Sequence, residues 1–208
     1  MMPATYHVLY FNGLGSGKTR KRERLAMCYL AKRGVEVEHV PIDWRSSEPF
    51  PVLLERVSRL VRERLKVYGQ LMLVGSSAGG SLAINVLSKV HHEQLSVVTL
   101  CSRLHEAPLP RWDRRNLKRM AHIGVPGTES QSFHDSVTYC GDMTIPLLTQ
   151  KERKRVITVQ QWADFVVPRA TMSIPGTHIY KVPGLGHAMG IAVGTVRLPI
   201  ILHSAKGH

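Results

Sequence analysis

The stretch whose reading decides the fold runs from Leu71 to Leu87, "LMLVGSSAGGSLAINVL". Residues 71–74 form a short, uninterrupted apolar run, which suits a strand buried on both faces. Residues 81–90, "SLAINVLSKV", predict a helix. Between them stands Gly75-Ser76-Ser77-Ala78-Gly79, a G-x-S-x-G pentapeptide in a strand-turn-helix setting. A serine at the centre of so tight a turn projects its hydroxyl above the end of the sheet. The turn crowds the positions two before and two after, so glycine at 75 and 79 avoids clashes there. Gly80 lets the helix pack close to neighbouring strands. The backbone amide of Ala78 lies at the helix N-terminus, where developing negative charge is favoured. Ser76 is the alternative nucleophile, but the glycines centre on Ser77.

Outward from this stretch, apolar runs alternate with helical patterns. "TYHVLYF" (5–11) reads as a buried strand, and 19–33 as a helix with Leu25, Cys28, Tyr29 and Lys32 on one face. "VEVEHVPI" (35–42) alternates as a half-buried strand does. Apolar side chains at 53, 54, 57, 60, 61, 65 and 68 give clear helical spacing over 52–68. "SVVTLC" (96–101), "RVITV" (155–159) and "THIYKV" (177–182) supply further strands. The segment "AMGIAVGTVRLPIILH" (188–203) reads as helix with a break at Pro199. This alternation predicts a three-layer α/β/α domain with a mostly parallel sheet and helices on both faces. Rhythm is lost between 102 and 154, where one packing helix and a small cap insertion are expected within a single domain spanning 1–208.

The chain carries 28 Lys and Arg against 15 Asp and Glu, a net charge of +13. The excess clusters in "KTRKRER" (18–24), "RWDRRNLKR" (111–119) and "KERKR" (151–155). Such stripes are either a solvated basic surface or an attraction for nucleic acid, anionic membranes or acidic small molecules. Aromatic content is only 6%, which leaves few side chains for base stacking, although Trp112 stands inside a basic cluster. No window approaches 18 uninterrupted apolar residues, so no membrane-spanning helix is expected. The N-terminal "MMPATYHVLYFNG" lacks the basic and apolar regions of a signal peptide. Cys28, Cys101 and Cys140 form no metal spacing and leave one thiol over in any disulfide scheme, which predicts a reduced, cytoplasmic protein. No H-E-x-x-H occurs and His91 and His92 point different ways on a helix, so no metal and no cofactor is expected.

"YFNGLGSGKTRKR" (10–22) nearly spells a phosphate-binding loop, because Gly17-Lys18-Thr19 fits its ending. Counting back from Thr19, the first glycine of that motif should occupy position 12, where Asn12 stands. Neither "LMLVGSS" nor "SVVTLCS" ends in the aspartate that usually holds magnesium, and Asp43 is a weak substitute. The NTPase reading is therefore disfavoured.

The stretch "LMLVGSSAGGSLAINVL" resembles the α/β-hydrolase family, and two further segments match that family in the same chain order. "QQWADFVVP" (160–168) is similar to its acid-bearing loop and nominates Asp164. "KVPGLGHAMG" (181–190) is similar to its histidine loop and nominates His187. The resemblance implies a small serine hydrolase that cleaves a carboxylic ester or thioester through an acyl-enzyme, with Ser77 as nucleophile, His187 as base and Asp164 orienting the imidazole. Asp43, Asp135 and Asp142 remain alternative acids. In the family the turn after an early strand often carries His-Gly; here it is Asn12-Gly13-Leu14, a departure that bears on loop anchoring. Leu14 is the expected second oxyanion donor beside Ala78, with Gly13 the alternative. Lys18 and one of Arg20 or Arg22 are expected to line the mouth and attract an anionic group on a small-molecule ester. The competing reading is a non-catalytic binding protein on the same fold, using its basic surface for nucleic acid or acidic partners.

Overall fold

The computed structural model of the protein describes residues 6–14, 21–106 and 130–205. Six strands make one sheet: β1 (Tyr6–Phe11), β2 (Val35–Val40), β3 (Leu71–Ser76), β4 (Leu95–Leu100), β5 (Val156–Ala163) and β6 (His178–Leu185). Their order is β2-β1-β3-β4-β5-β6, and every neighbouring pair is parallel. Parallel neighbours need crossovers, and helices supply them. These are α1 (Lys21–Ala31), α2 (Phe50–Tyr68), α3 (Ala78–Val90), α4 (Gln131–Tyr139), α5 (Gln150–Lys154), α6 (His187–Val196) and α7 (Leu198–Ala205).

The period-2 alternation of the strands sorts the core into two layers. Leu9, Phe11, Leu71, Leu73 and Val97 pack with residues of α2, α3 and α4 such as Val57, Leu82 and Phe133. Val8, Met72, Val74, Val98 and Leu100 face the other way, towards Leu30 of α1 and Leu198, Ile201 and Leu202 of α7. All six residues of β3 are buried, which explains its unbroken apolar run. Each wholly buried Leu or Val contributes roughly 1.5–3 kcal/mol, so the central strands anchor whatever their ends carry. The strand order reverses between β1 and β3, and ligands of open α/β sheets sit at the carboxyl ends of the strands beside that reversal.

Two details differ from the sequence expectations. Leu25 is exposed, and α1 buries Leu30 instead. Pro199 does not break the last helix: the chain turns at Arg197 between α6 and α7. Pro199 falls in the first turn of α7, where its missing N–H costs nothing. Between β4 and β5, α4 continues through a π-helical turn (Cys140–Thr144) and one further turn (Ile145–Leu147), and α5 follows after a break at Leu148 and Thr149. Asn85 of α3 clamps this crossover, donating to the Ser136 carbonyl (2.9 Å) and accepting from Thr144 Oγ1 (2.7 Å). The remainder of the segment expected to hold a cap, 107–129, lies outside the described residues.

Candidate active site

Ser77 follows β3 directly, with φ 51° and ψ −116°. That is a backbone conformation a non-glycine residue adopts only when its surroundings impose it. Here they do. Its amide donates to the Leu100 carbonyl of β4 (2.9 Å), and its carbonyl accepts from Gly80 (3.1 Å). The flanking glycines are required by space: a Cβ at Gly79 would lie 2.5 Å from the Phe11 carbonyl oxygen, and one at Gly80 2.1 Å from Ser102 Oγ. Ser76 points elsewhere. It is buried, and its hydroxyl accepts from Tyr10 OH (2.8 Å).

Asp164 follows β5 by one residue and His187 begins α6, behind the Gly186 that ends the β6 loop. The Asp164 side chain is wholly buried. Its Oδ1 accepts the amides of Val166 (2.8 Å) and Val167 (2.9 Å), a local turn that aspartate favours. Its Oδ2 accepts from His187 Nδ1 at 2.7 Å. With Nδ1 carrying the proton, the neutral ring presents the lone pair of Nε2, which stands 2.8 Å from Ser77 Oγ. His187, 110 residues from Ser77 and 23 from Asp164, thus links the three into one continuous chain of hydrogen bonds. The alternative acids are placed elsewhere. Asp43 accepts the Arg45 amide, Asp135 pairs with Gln131 on α4, and Asp142 is exposed in the π turn.

On the opposite side of Ser77 lies the loop after β1. A Cβ on Gly13 would stand 3.1 Å from Ser77 Cβ, so the loop backbone is pressed against the serine. Asn12 fixes it there from below. Its Oδ1 accepts the Ile42 amide (2.8 Å), its Nδ2 donates to the Ile42 and Gly13 carbonyls, and its own carbonyl accepts from Trp44 Nε1. A buried carboxamide thereby ties the ends of β1 and β2 together. The departure at Asn12 thus bears on loop anchoring as expected from the sequence, but its partner at Ile42 has no local sequence signal. Lys18 and Arg20 lie outside the described residues, as does the side chain of Arg22 in the first turn of α1. Cys101, which sequence reading did not connect to this site, is buried behind Asp164. Burial first, and then the Asp164 charge, push its thiol up to about 12. Among the described residues no three His, Cys, Asp or Glu side chains stand together as metal ligands would. The clefts lined by His7, Tyr68 and Leu71 open at the amino ends of the strands, the far end of the sheet from Ser77.

No protein-family model matches the sequence, and no curated protein matches it either. Solved structures do share its arrangement. A Bacillus licheniformis lipase aligns over 98% of this chain and 93% of its own with a TM-score of 0.71 at 14% identity. An α/β-hydrolase superfamily protein from Enterococcus faecalis aligns over 98% and 92% with a TM-score of 0.58 at 13% identity. The chain has the α/β-hydrolase fold. A thioesterase of the prodiginine pathway in Streptomyces coelicolor is also similar, over 97% and 86%, with a TM-score of 0.61 at 16% identity. In this α/β-hydrolase fold Ser77, Asp164 and His187 stand at the carboxyl ends of β3, β5 and β6, with Gly13 reaching them from β1.

Proposed function

We propose that the protein is a serine hydrolase that cleaves a carboxylic ester or thioester through an acyl-enzyme on Ser77. The observation that carries this reading is the 2.8 Å approach of His187 Nε2 to Ser77 Oγ while Nδ1 is held by a buried carboxylate. A serine hydroxyl attacks a carbonyl effectively only when a base takes its proton. Nε2 accepts that proton as Oγ bonds to the carbonyl carbon, and Asp164 stabilises the imidazolium that results. The tetrahedral oxyanion would lie between the amides of Ala78, at the N-terminus of α3, and Leu14 or Gly13 in the pinned β1 loop. Nε2–H then protonates the departing alkoxide or thiolate as its bond to carbon breaks. Water, deprotonated by the same nitrogen, releases the acid and restores Ser77. A lipase and a thioesterase among the structurally similar proteins agree with an ester or thioester at fold level. Three free thiols, two of them buried, suit a reducing compartment such as the cytoplasm.

The deciding experiment is covalent labelling with a fluorophosphonate probe. Wild type is expected to label stoichiometrically and Ser77→Ala not at all. Salt-sensitive nucleic-acid binding by a protein that never labels would instead establish the non-catalytic reading. A nitrophenyl ester series of rising chain length then defines the acyl pocket, with short to medium chains expected. Matched neutral and anionic esters across a salt series test whether the basic residues around 18–22 attract an anionic substrate; equal salt slopes would refute it.

A further inference from the structure

Helix α6 departs from the usual pattern of a surface helix. Helices on the outside of a protein turn large apolar side chains inward and polar ones to solvent. In α6, "HAMGIAVGTV", no Lys, Arg, Asp or Glu occurs, and its buried residues are Gly190 and Gly194. These press against the sheet: a Cβ at 190 would meet Gln161 Oε1 at 2.2 Å, and one at 194 would meet Leu100 Cδ2 at 3.1 Å. Ile191 and Val193 are half-buried against the core, but the other larger residues are left outside. Met189 is 52% exposed, Val196 48%, and Ala192 is exposed between them. Spacings of three and four residues align them on one stripe. Leu185, 72% exposed, closes β6 just before this helix, and Ile200 of α7, 61% exposed, follows just after it.

The charge distribution says what covers this face. All 15 Asp and Glu residues lie at or before Asp164. Residues 165–208, which supply β6, α6 and α7, contain none, but carry Arg169, Lys181, Arg197 and Lys206. Lys181 is exposed on the edge strand β6, and Arg197 lies between Val196 and Ile200. A second copy of the chain, also at +13, would set cation against cation across the stripe. Within residues 165–208 the charges that accompany the apolar stripe are cations alone, a combination complementary to anionic headgroups over an apolar interior. No described helix is long and apolar enough to cross a membrane, so the contact lies in the plane of the surface.

We propose that the Leu185–Ile200 face seats the protein on an anionic lipid surface, with His187 at one end of the seated helix. Seating brings the Ser77–His187 end of the sheet next to the lipid. The apolar stripe supplies burial, and the cations supply a salt-dependent attraction.

The test is co-sedimentation of the full chain with vesicles of phosphatidylcholine containing about a third phosphatidylglycerol, beside vesicles of phosphatidylcholine alone. Wild type is expected to bind the anionic vesicles, to bind neutral ones at least tenfold more weakly, and to be released by salt. Ala192→Glu/Val196→Glu alters only exposed positions, keeps its thermal melt, and should bind anionic vesicles at least tenfold more weakly than wild type. No binding by wild type, or binding that the double variant retains, overturns the proposal. So does a wild-type dimer in solution that the double variant dissolves, which would make the face a contact between chains. The readout needs no turnover, so Ser77→Ala protein serves equally and the hydrolase reading can fail independently.

Discussion

His187 Nδ1 and Asp164 Oδ2 stand 2.7 Å apart, while the other oxygen of the same carboxylate is fully engaged by the Val166 and Val167 amides. The two oxygens therefore have separate duties, and an asparagine cannot perform both. In Asp164→Asn the NH2 group either opposes two backbone N–H donors or faces the imidazole. The second placement loses less, so the amide donates to Nδ1 and the ring proton moves to Nε2. Nε2 then donates towards Ser77 Oγ where it should accept. We expect kcat/KM on a nitrophenyl ester and the rate of fluorophosphonate labelling to fall about 10⁴-fold, the scale of this change in other triads, with the fold intact by circular dichroism. A loss below tenfold would show that Asp164 does not set the tautomer.

The turn around Ser77 leaves no room for a side chain. A Cβ on Gly75 would sit 2.3 Å from the Gly79 carbonyl oxygen, and backbone cannot step aside as a flexible side chain does. Gly75→Ala should cost about 3 kcal/mol or more and abolish probe labelling. Gly80→Ala meets a side chain instead, Ser102, at Oγ (2.1 Å) and Cβ (2.3 Å). Ser102→Gly removes both atoms, so it should partly rescue Gly80→Ala, with a coupling of roughly 0.5–3 kcal/mol in urea unfolding. Strict additivity of the two changes would mean that the crowding at Gly80 is not what destabilises.

What the chain order made legible was whatever depends on local pattern. The apolar run at 71–74, the glycines around Ser77, and the loops at Asp164 and His187 each declare themselves within ten residues. Legibility ends where a residue's partner is distant. Asn12 reads as an odd substitution until Ile42, 30 residues away, appears across the end of β2. Leu25 reads as a core residue by periodicity, yet the sheet meets α1 along Leu30 and Leu25 faces solvent. Pro199 reads as a helix breaker, but its effect depends on whether it falls inside a helix or in its first turn. The turn at Arg197 decides that, and no local signal marked it.

Glu152 offers a prediction about pH. Burial opposes its ionisation, but the Thr149 amide and hydroxyl, with the His91 ring, outweigh this and hold the carboxyl below its ordinary 4.5. Both arms of a capping box converge on it: its amide donates to Thr149 Oγ1, and its Oε2 accepts the Thr149 amide at 2.8 Å. A carboxyl whose folded pKa is depressed binds its proton more weakly when folded. Its stabilisation is complete above the unfolded value and is lost as pH falls through the folded one. Glu152→Gln should therefore lower stability by about 1–2 kcal/mol near neutral pH. The gap between variant and wild-type melting temperatures should narrow below pH 4.5. A gap that stays constant from neutral pH down to about pH 3 would show that the charge of Glu152 contributes nothing there.

The three thiols differ enough to report on the packing behind the site. Cys28 is exposed on α1, whereas Cys101 and Cys140 are buried. Burial raises both buried thiols, and the Asp164 carboxylate adds to the effect at Cys101, which reaches about 12. Alkylation needs the thiolate, and a thiol at that value is ionised to roughly one part in 10⁴ at pH 8. Iodoacetamide should thus add once to the native protein, at Cys28, and three times in urea, as counted by mass spectrometry. The single native adduct should leave probe labelling of Ser77 unchanged, because Cys28 faces solvent away from the sheet. Asp164→Asn removes one of the two influences on Cys101 but leaves it buried, so its native labelling should stay far slower than that of Cys28. Native labelling of Cys101 at the rate of Cys28 would mean that the wall behind Asp164 opens in solution, and with it the enclosure that keeps the Asp164–His187 pair out of water.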